Sequence, residues 1–132
     1  DMTIDLGYGA RFKILETGDG YREPNNNSVV SMIDYDEIEI LLTGDMETSI
    51  EKKNLSKFSD VDVLKLGHHG SRTASSQEFL DVVKPEVSIV SAGLDNKYKL
   101  PNEDVISRLL SMNCSVYGTF RSGNIILTTD GV

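Results

Sequence analysis

Residues 61–92 read VDVLKLGHHGSRTASSQEFLDVVKPEVSIVSA, and they decide the fold class. Val61–Leu66 and Val87–Ala92 are short runs rich in Val, Ile and Leu, which is typical of buried strands. Ser75–Val83 opens with a serine and a glutamate at the spacing of a capping box, which predicts a helix that ends before Pro85. A strand, a helix and a second strand in this order indicate an α/β layered fold.

The same alternation continues on both sides of this stretch. Upstream, the pattern predicts four strands and one helix, over Thr3–Leu6, Arg11–Leu15, Ser28–Tyr35, Glu37–Leu42 and Glu47–Phe58. Downstream, it predicts an amphipathic helix and a closing hairpin, over Asn102–Met112, Ser115–Thr119 and Asn124–Thr129. The chain contains no repeat and no clear linker, so we expect residues 1–132 to form one folding unit.

Composition limits the functions that suit this chain of 132 residues. It carries 13 basic and 21 acidic residues, a net charge of −8, and this field repels the phosphate backbone of a nucleic acid. Contact with phosphates is therefore expected to depend on metal ions, which reverse the local sign of charge. The single cysteine, Cys114, excludes an internal disulfide and is expected to be a buried strand residue. No apolar run reaches the roughly 20 residues that cross a bilayer, so the chain is expected to be soluble.

Two motifs place polar side chains directly after predicted strands. In Leu41–Asp45 (LLTGD) an acidic residue ends an apolar run, and in Leu64–Ser71 (LKLGHHGS) both histidines of the chain follow a short strand. If the two strands lie parallel in one sheet, the acidic residue and the histidines emerge at the same edge. Carboxylate and imidazole groups are ligands that zinc or manganese accepts. From the residues alone, a metal site, a simple turn and a solvated histidine loop all stay open.

Successive motifs of the chain resemble one known family. Asn25–Val30 (NNNSVV), followed by LLTGD and LKLGHHGS, is similar to the metallo-β-lactamase-like domain of ComEC-type competence proteins. Lys97–Pro101 (KYKLP) and Ile126–Gly131 (ILTTDG) resemble later segments of that family. The resemblance covers most of the chain. It implies the C-terminal half of a four-layer αββα sandwich, a mixed sheet with helices on one side.

The resemblance also implies a hydrolase site that holds two divalent metal ions, zinc or manganese, in the complete domain. Asp45 is the expected carboxylate shared by the ions. His69 is the expected ligand of one ion, because the residues that follow it match the His-x-Ser pattern of the family. His68 is then expected to support the ligands or to face the substrate, and the reverse assignment of the two histidines stays open.

Substrate contacts are implied close to the same motifs. Ser71 is a candidate to bind a phosphate oxygen, with a role in capping the following helix as the alternative. Asn27 is a further candidate contact. Together with Ser28, however, Asn27 is expected mainly to fix the loop beside the site.

The chain departs from the family in two respects. The main ligand motif of the family, a His-x-Asp/His-x-Asp-His cluster, is absent from these residues, and we expect it upstream of Asp1. Leu100 stands where many relatives carry a histidine before the proline, which weakens an expected contact with substrate phosphate. We therefore expect the isolated chain to be inactive and to bind metal weakly at best. A sheet face shaped for the upstream half is also expected to promote self-association.

The function implied for the parent protein is metal-dependent hydrolysis of a phosphodiester or similar ester, with DNA degraded during uptake as the expected reaction. The parent is expected to be a membrane protein with this domain outside the cytoplasm, or a secreted protein. The alternative is a non-catalytic module that binds or guides a partner in a membrane DNA-transport protein, which Leu100 and the acidic surface favour. The upstream sequence discriminates between them, because an intact ligand cluster there supports the enzyme.

Overall fold

Seven strands form a single mixed sheet in the computed structural model, which describes residues 2–18 and 20–132. In chain order the strands are β1 (Met2–Gly7), β2 (Ala10–Glu16), β3 (Val30–Tyr35), β4 (Ile38–Leu42), β5 (Val63–Lys65), β6 (Val87–Val90) and β7 (Ser115–Gly118). The helices are α1 (Thr48–Lys53), α2 (Gln77–Val83), α3 (Glu103–Ser111) and the single turn α4 (Thr119–Ser122). The predicted α/β class is confirmed.

Strands that are neighbours in the sheet are also neighbours in the chain. The pairs from β1 to β4 are antiparallel, whereas the pairs from β4 to β7 are parallel. Parallel neighbours need a crossover connection, and α1, α2 and α3 lie in the three crossovers. The carboxyl ends of β4, β5, β6 and β7 therefore lie along one edge of the sheet, which we call the carboxyl edge.

Side-chain caps account for the two longest helices. Ser76 begins α2 and Asn102 begins α3, each by accepting a hydrogen bond from a nearby backbone N–H, at 3.3 and 3.1 Å. The cap of α2 thus lies one residue beyond the predicted Ser75. The helix predicted over Glu47–Phe58 is shorter in the structure, because the chain tightens after α1 into a 3₁₀ turn at Leu55–Lys57.

The two faces of the sheet differ in what packs against them. On the helix face, strand side chains join the buried side chains of α1, α2 and α3 in one hydrophobic cluster; these strand residues include Met32, Leu41, Leu64, Val90 and Val116. The open face points the other way and carries apolar side chains that lie outside this cluster: Phe12, Ile33, Ile40, Leu42, Val87 and Ile89. Towards the sheet edges the open face becomes exposed, with Ile4 at 48% and Tyr117 at 52%.

The prediction of a strand over Asn124–Thr129 is wrong. After β7 the chain forms α4, since the Thr119 hydroxyl accepts a hydrogen bond from Ala92 N at 3.0 Å and donates one to Ala92 O at 2.8 Å. The last residues run without strand pairing and end beside the β3–β4 turn, where Gly131 O accepts from Glu37 N at 2.9 Å. β7 is consequently an edge strand of the sheet.

Two further expectations concern the core and the membrane. Cys114 is buried, as predicted, although it lies one residue before β7. Its thiol donates to Ser88 Oγ at 3.2 Å, and burial raises the pKa of this thiol.

None of the helices within residues 2–18 and 20–132 combines the length and the apolar character that crossing a membrane requires.

Candidate functional site

Asp45 lies at the carboxyl edge, three residues after β4 ends. The Ser28 hydroxyl accepts a hydrogen bond from Asp45 N at 2.9 Å. Gly44 before it has a φ of +55°, and a Cβ at Gly44 would approach the Ser28 Cβ to 2.9 Å. A side chain at position 44 is therefore disfavoured by this conformation and would collide with Ser28. The backbone that carries the carboxylate is held by the neighbouring loop.

His69 lies in the turn that follows β5, on a backbone of unusual conformation. His68 and His69 have φ values of 46° and 56°, in the left-handed region that non-glycine residues seldom adopt. His68 N donates to Gly44 O at 3.0 Å, which ties this turn directly to the Asp45 loop. Left-handed conformations of this kind cost free energy and persist where the surrounding structure imposes them, often at functional sites.

The imidazole of His69 is oriented by the end of β6. Its Nδ1 lies 2.7 Å from Ser91 O, and because a carbonyl only accepts, Nδ1 carries the proton. In the neutral ring the lone pair is then on Nε2, which lies 3.6 Å from Asp45 Oδ1. A backbone carbonyl that orients a histidine in this way is the usual second contact of a metal-ligating imidazole. The side chains remain accessible, with His69 48% and Asp45 41% exposed.

The distance between the two side chains suits ligands of one ion. Two ligand bonds of roughly 2.0 to 2.2 Å at a tetrahedral angle place the donor atoms about 3.3 to 3.6 Å apart. The approach of Asp45 to His69 that the sequence predicted is thus present. Within the part of the chain that the structure describes, however, no group of three or more His, Cys, Asp or Glu side chains is arranged to hold a metal ion. Two donors suit part of a site, and their role as ligands stays a prediction.

His68 belongs to a different polar cluster. Its Nδ1 lies 3.1 Å from Thr73 Oγ1 and 3.5 Å from Glu47 Oε1, while its Nε2 lies 3.4 Å from Asn25 Nδ2. The Thr73 hydroxyl donates to Glu47 Oε1 at 3.1 Å. Both ring nitrogens of His68 therefore have protein partners, whereas one nitrogen of His69 is turned towards Asp45. The assignment of His69 rather than His68 as the ligand stays a prediction.

The other predicted contacts, Ser71 and Asn27, mainly shape loops. The Ser71 hydroxyl accepts from Thr73 N at 3.3 Å and lies 3.1 Å from Thr73 Oγ1. Asn27 closes the loop before β3, since its amide accepts from Tyr21 N and donates to Tyr21 O, both at 2.9 Å. The loop-fixing roles expected of Asn27 and Ser28 are confirmed. Substrate contacts by Ser71, His68 and Asn27 stay predictions.

Sequence reasoning missed Glu47, Asn25 and Thr73, which surround His68. Glu47 stands two residues after Asp45, and its pattern predicts only the start of a helix. An acidic residue so close to a candidate ligand nevertheless indicates a second polar group at the site. It also missed Lys65, whose Nζ donates to Leu66 O at 3.1 Å. Burial lowers the pKa of the Lys65 ammonium, and the charge of Asp45 opposes this shift.

A cleft of about 430 Å³ lies beside His69. Its walls come from the end of β6, the following loop and the start of α4, and include Tyr98, Leu100 and Thr119. Leu100, which replaces the histidine of many relatives in the predicted resemblance, therefore lies in the same cleft as His69. Leu100 is apolar, and it occupies the position at which the resemblance implies a histidine in contact with a substrate phosphate.

Sequence comparison finds relatives that align with most of this chain. It is 36% identical over 118 residues to Recombination protein 2 of Haemophilus influenzae, an alignment of 89% of this chain and 15% of that protein. It is 35% identical over 103 residues to ComE operon protein 3 of Bacillus subtilis, covering 76% of this chain and 13% of that protein. It is 40% identical over 87 residues to Competence protein ComA of Neisseria gonorrhoeae, covering 64% and 13%.

These relatives are much longer than this chain, which spans only 13 to 15% of their length. No protein-family model matches the chain. The resemblance to competence proteins predicted from the three motifs is confirmed. This chain is a homologue of one segment of proteins named for competence and recombination.

Proposed function

We propose that this chain is the C-terminal part of a metal-dependent hydrolase domain that cleaves phosphodiesters or similar esters. The observation that supports this most directly is the orientation of His69: the contact between Nδ1 and Ser91 O turns Nε2 to within 3.6 Å of Asp45 Oδ1. Two donor atoms on loops at the carboxyl edge of a sheet are a suitable start for a metal centre.

In this proposal Asp45 and His69 would hold two divalent ions, zinc or manganese, with Asp45 as the carboxylate common to both and His69 as a ligand of one. When bound, such ions lower the pKa of a water molecule and neutralise charge that develops on the phosphoryl group. Asp45 is held by Ser28 and by the Gly44 turn, so its carboxylate is positioned before any ion arrives. Ser71 and His68 lie on the same turn as His69, and we assign them contacts with the substrate.

The remaining ligands are proposed to come from a segment upstream of this chain that packs on the open face. Apolar side chains on both faces of β4, β5 and β6 support this proposal, since strands of this kind are typically covered on both sides. The complete domain is then a four-layer αββα sandwich with the metal centre at its edge. For the parent we propose a membrane location with this domain outside the cytoplasm, or secretion, and DNA as the substrate during uptake.

A second candidate function is a non-catalytic module that binds or guides a partner within a membrane DNA-transport protein. Leu100 favours it, because this apolar side chain lines the cleft beside His69. The two candidates differ in the upstream segment. An intact cluster of His and Asp ligands there supports the hydrolase, and a degraded cluster supports the binding module.

The test is a phosphodiesterase assay with added zinc or manganese, on this chain alone and on this chain joined to its upstream half. We expect activity only in the joined protein, because the two donors Asp45 and His69 fall short of the three protein ligands that a catalytic ion needs beside its open position. Equal activity in both samples contradicts the half-domain proposal. Absence of activity in the joined protein, with its ligand cluster intact and its metal bound, contradicts the hydrolase.

A further inference from the structure

Among the strand residues that the structure describes, the open face of the sheet carries one charged side chain, that of Lys65. Lys65 is the last residue of β5 and pairs in register with Leu42 of β4 and Ile89 of β6, so the three side chains point to the same side. The other charged residues of the described strands point to the helix side: Asp5, Arg11, Lys13, Glu16, Asp34 and Glu39. An otherwise uncharged face therefore contains a single positive charge, close to the carboxyl edge.

Lys65 differs from three other lysines of the chain in its partners. Lys13, Lys52 and Lys57 each form an ion pair with a carboxylate. Within residues 2–18 and 20–132, the Lys65 ammonium has no carboxylate at ion-pair distance and donates one hydrogen bond, to Leu66 O at 3.1 Å. An ammonium group has three N–H donors. Two of them thus remain for water or for a partner that covers the open face.

The surroundings of Lys65 already disfavour its charge. The side chain is partly buried, its neighbours Leu42 and Ile89 are apolar, and burial lowers the pKa of the ammonium. The charge of Asp45 opposes this shift, but in the proposed function that carboxylate binds metal ions. A segment that packs on the open face withdraws Lys65 further from water. Such burial is strongly unfavourable for an ammonium unless an anion accompanies it.

We propose that the segment covering the open face presents one carboxylate to Lys65, and that this ion pair fixes the alignment of the two packed halves. The inference rests on the proposed function and names the chemistry of the partner at this interface. A carboxylate supplies the opposite charge and acceptors for the two remaining N–H donors. Apolar faces can bury similar areas in several alignments, whereas a buried charged pair is satisfied in only one of them.

The position of Lys65 connects this alignment to the candidate metal centre. β5 leads directly into the turn that carries His69, and its neighbour β4 leads to Asp45. An upstream half that is aligned on Lys65 is thereby aligned on both proposed ligands, so that its own ligands can reach the same ions. Lys65 is then a positioning residue, which contacts neither the ions nor the substrate.

A second copy of this chain is a poorer partner for Lys65. Its open face offers apolar side chains, another Lys65 and, within the described strands, four uncharged polar residues: Ser31, Tyr35, Ser115 and Tyr117. Two copies packed through these faces bury apolar area but bring no strand carboxylate to either ammonium. The charge pattern therefore favours a segment of different sequence.

The test measures folding and hydrolysis separately in the complete parent protein. Pulse proteolysis across a urea series in chelator, followed with an antibody against this chain, gives an unfolding midpoint that depends on neither metal nor activity. Hydrolysis of a small phosphodiester is measured with manganese. Lys65→Met removes the charge at similar length, Lys65→Arg keeps the charge, and Lys65→Glu reverses it. Lys52→Met and Lys52→Glu are matched controls, because Lys52 forms an exposed ion pair on α1.

Lys65→Met should lower the urea midpoint by roughly 1 M, because it leaves a buried carboxylate without its partner. Lys65→Arg should keep the midpoint, and Lys65→Glu should lower it furthest. When each Asp and Glu of the upstream half is replaced in turn by Lys in the Lys65→Glu protein, one position should restore the midpoint. Lys65→Met should also weaken manganese binding roughly ten-fold, as changes beside metal ligands do. The Lys52 variants should change little, since exposed pairs contribute little to stability.

An unchanged or raised midpoint in Lys65→Met overturns the inference, because the ammonium then reaches water and has no anion opposite it. An equal loss in Lys52→Met overturns it, as does a screen in which no upstream position restores Lys65→Glu. A midpoint that rises with protein concentration assigns the face to a second copy, and a higher KM at an unchanged midpoint assigns Lys65 to a substrate phosphate. Both results contradict the proposed pair.

The ion pair and the hydrolase can fail independently. A parent in which the charge exchange restores the midpoint, but which hydrolyses nothing with its ligand cluster intact and its metal bound, supports the pair and contradicts the hydrolase. A parent that hydrolyses the phosphodiester, and whose midpoint and turnover do not change in Lys65→Met, supports the hydrolase and contradicts the pair.

Discussion

The helix face and the open face of the sheet are built from the same strands but differ in how deeply their apolar side chains are buried. Leu41 and Leu64 on the helix face are 1% and 0% exposed and lie within the cluster that includes α1, α2 and α3. Leu42 and Ile89 on the open face are only partly buried and lie outside that cluster. Adjacent residues of one strand thus belong to a closed core on one side and to accessible apolar surface on the other.

We propose that the strand sequences contain information about a partner as well as about this chain. A sheet that faces water on one side usually alternates apolar and polar residues, whereas β4 to β6 carry apolar side chains on both sides, with Lys65 as a charged residue of the open face. The helix face accounts for the stability of this chain. We propose that the open face accounts for its assembly with the upstream segment, and the carboxyl edge between the two faces carries the site.

Loss of Asp45 should have the largest effect, and it should affect activity without affecting either face. In the complete parent, Asp45→Ala is expected to reduce hydrolysis by more than the roughly 10- to 100-fold that follows loss of a group that only orients a ligand. Thermal unfolding should change little, because this side chain is 41% exposed at the edge. The control is Asp60→Ala, which removes an exposed carboxylate away from the histidine turn. Unchanged turnover in a folded Asp45→Ala protein contradicts the catalytic role.

The same substitution on the two faces should have unequal effects on stability. Leu109→Ala removes a fully buried side chain that packs in the helix-face cluster, and should lower the free energy of unfolding of this chain by about 2 to 5 kcal/mol. Leu42→Ala on the open face should lower it by clearly less, because the side chain is partly solvated already. Urea denaturation of both variants measures the difference.

Joining the upstream half sharpens this comparison. If that segment covers the open face, Leu42 becomes buried, and the cost of Leu42→Ala should rise towards the cost of Leu109→Ala in the joined protein. A cost that is the same with and without the upstream half contradicts the proposed packing. Leu109→Ala serves as the internal control, since its surroundings in the helix-face cluster do not change.

Particular residues show what could be predicted from sequence and what could not. The approach of Asp45 to His69 was predictable, because parallel strands place their carboxyl ends at one edge. The Ser91 carbonyl that orients His69 was not, since every residue has such a group and only the pairing of β5 with β6 brings this one near. The prediction of a strand over Asn124–Thr129 was wrong because the apolar residues of that stretch do not indicate the contacts of Thr119 with Ala92. At these contacts the chain turns into α4.

An effect on stability comparable to that of Leu109→Ala is expected from Glu51, the buried carboxylate that joins α1 to α2. It accepts hydrogen bonds from Ser75 N at 2.5 Å and Ser76 N at 2.9 Å and is 1% exposed. Glu51→Ala leaves two buried N–H groups without this partner and should cost about 1 to 3 kcal/mol for each group that stays unpaired. Urea denaturation gives this number. Glu78→Ala is a suitable control, because Glu78 is an exposed residue of α2.

The pH dependence of stability tests the same carboxyl group. Burial raises the pKa of Glu51 in the folded chain, so the folded state binds its proton more tightly than the unfolded state does. This contribution to stability is complete below the ordinary pKa of a glutamate, near 4.5, and is lost as the pH rises through the raised value. The difference in unfolding free energy between the unaltered chain and Glu51→Gln should therefore fall with rising pH. A difference that grows with pH contradicts the assigned direction.

The smallest effect on stability, and the most direct test of the open face, concerns self-association of this chain. Exposed apolar surface of this kind tends to associate, and Ile4 lies on the open face at 48% exposure. Ile4→Lys should change the free energy of unfolding by no more than about 0.5 kcal/mol, as is usual for an exposed position. It should nevertheless reduce association measured by sedimentation across a range of concentrations, because a charge must lose its water when two such faces meet. Tyr8→Lys adds the same charge at a turn residue that is 99% exposed, so it controls for net charge alone. Equal loss of association in both variants indicates a charge effect, whereas loss in Ile4→Lys alone locates the contact on the open face.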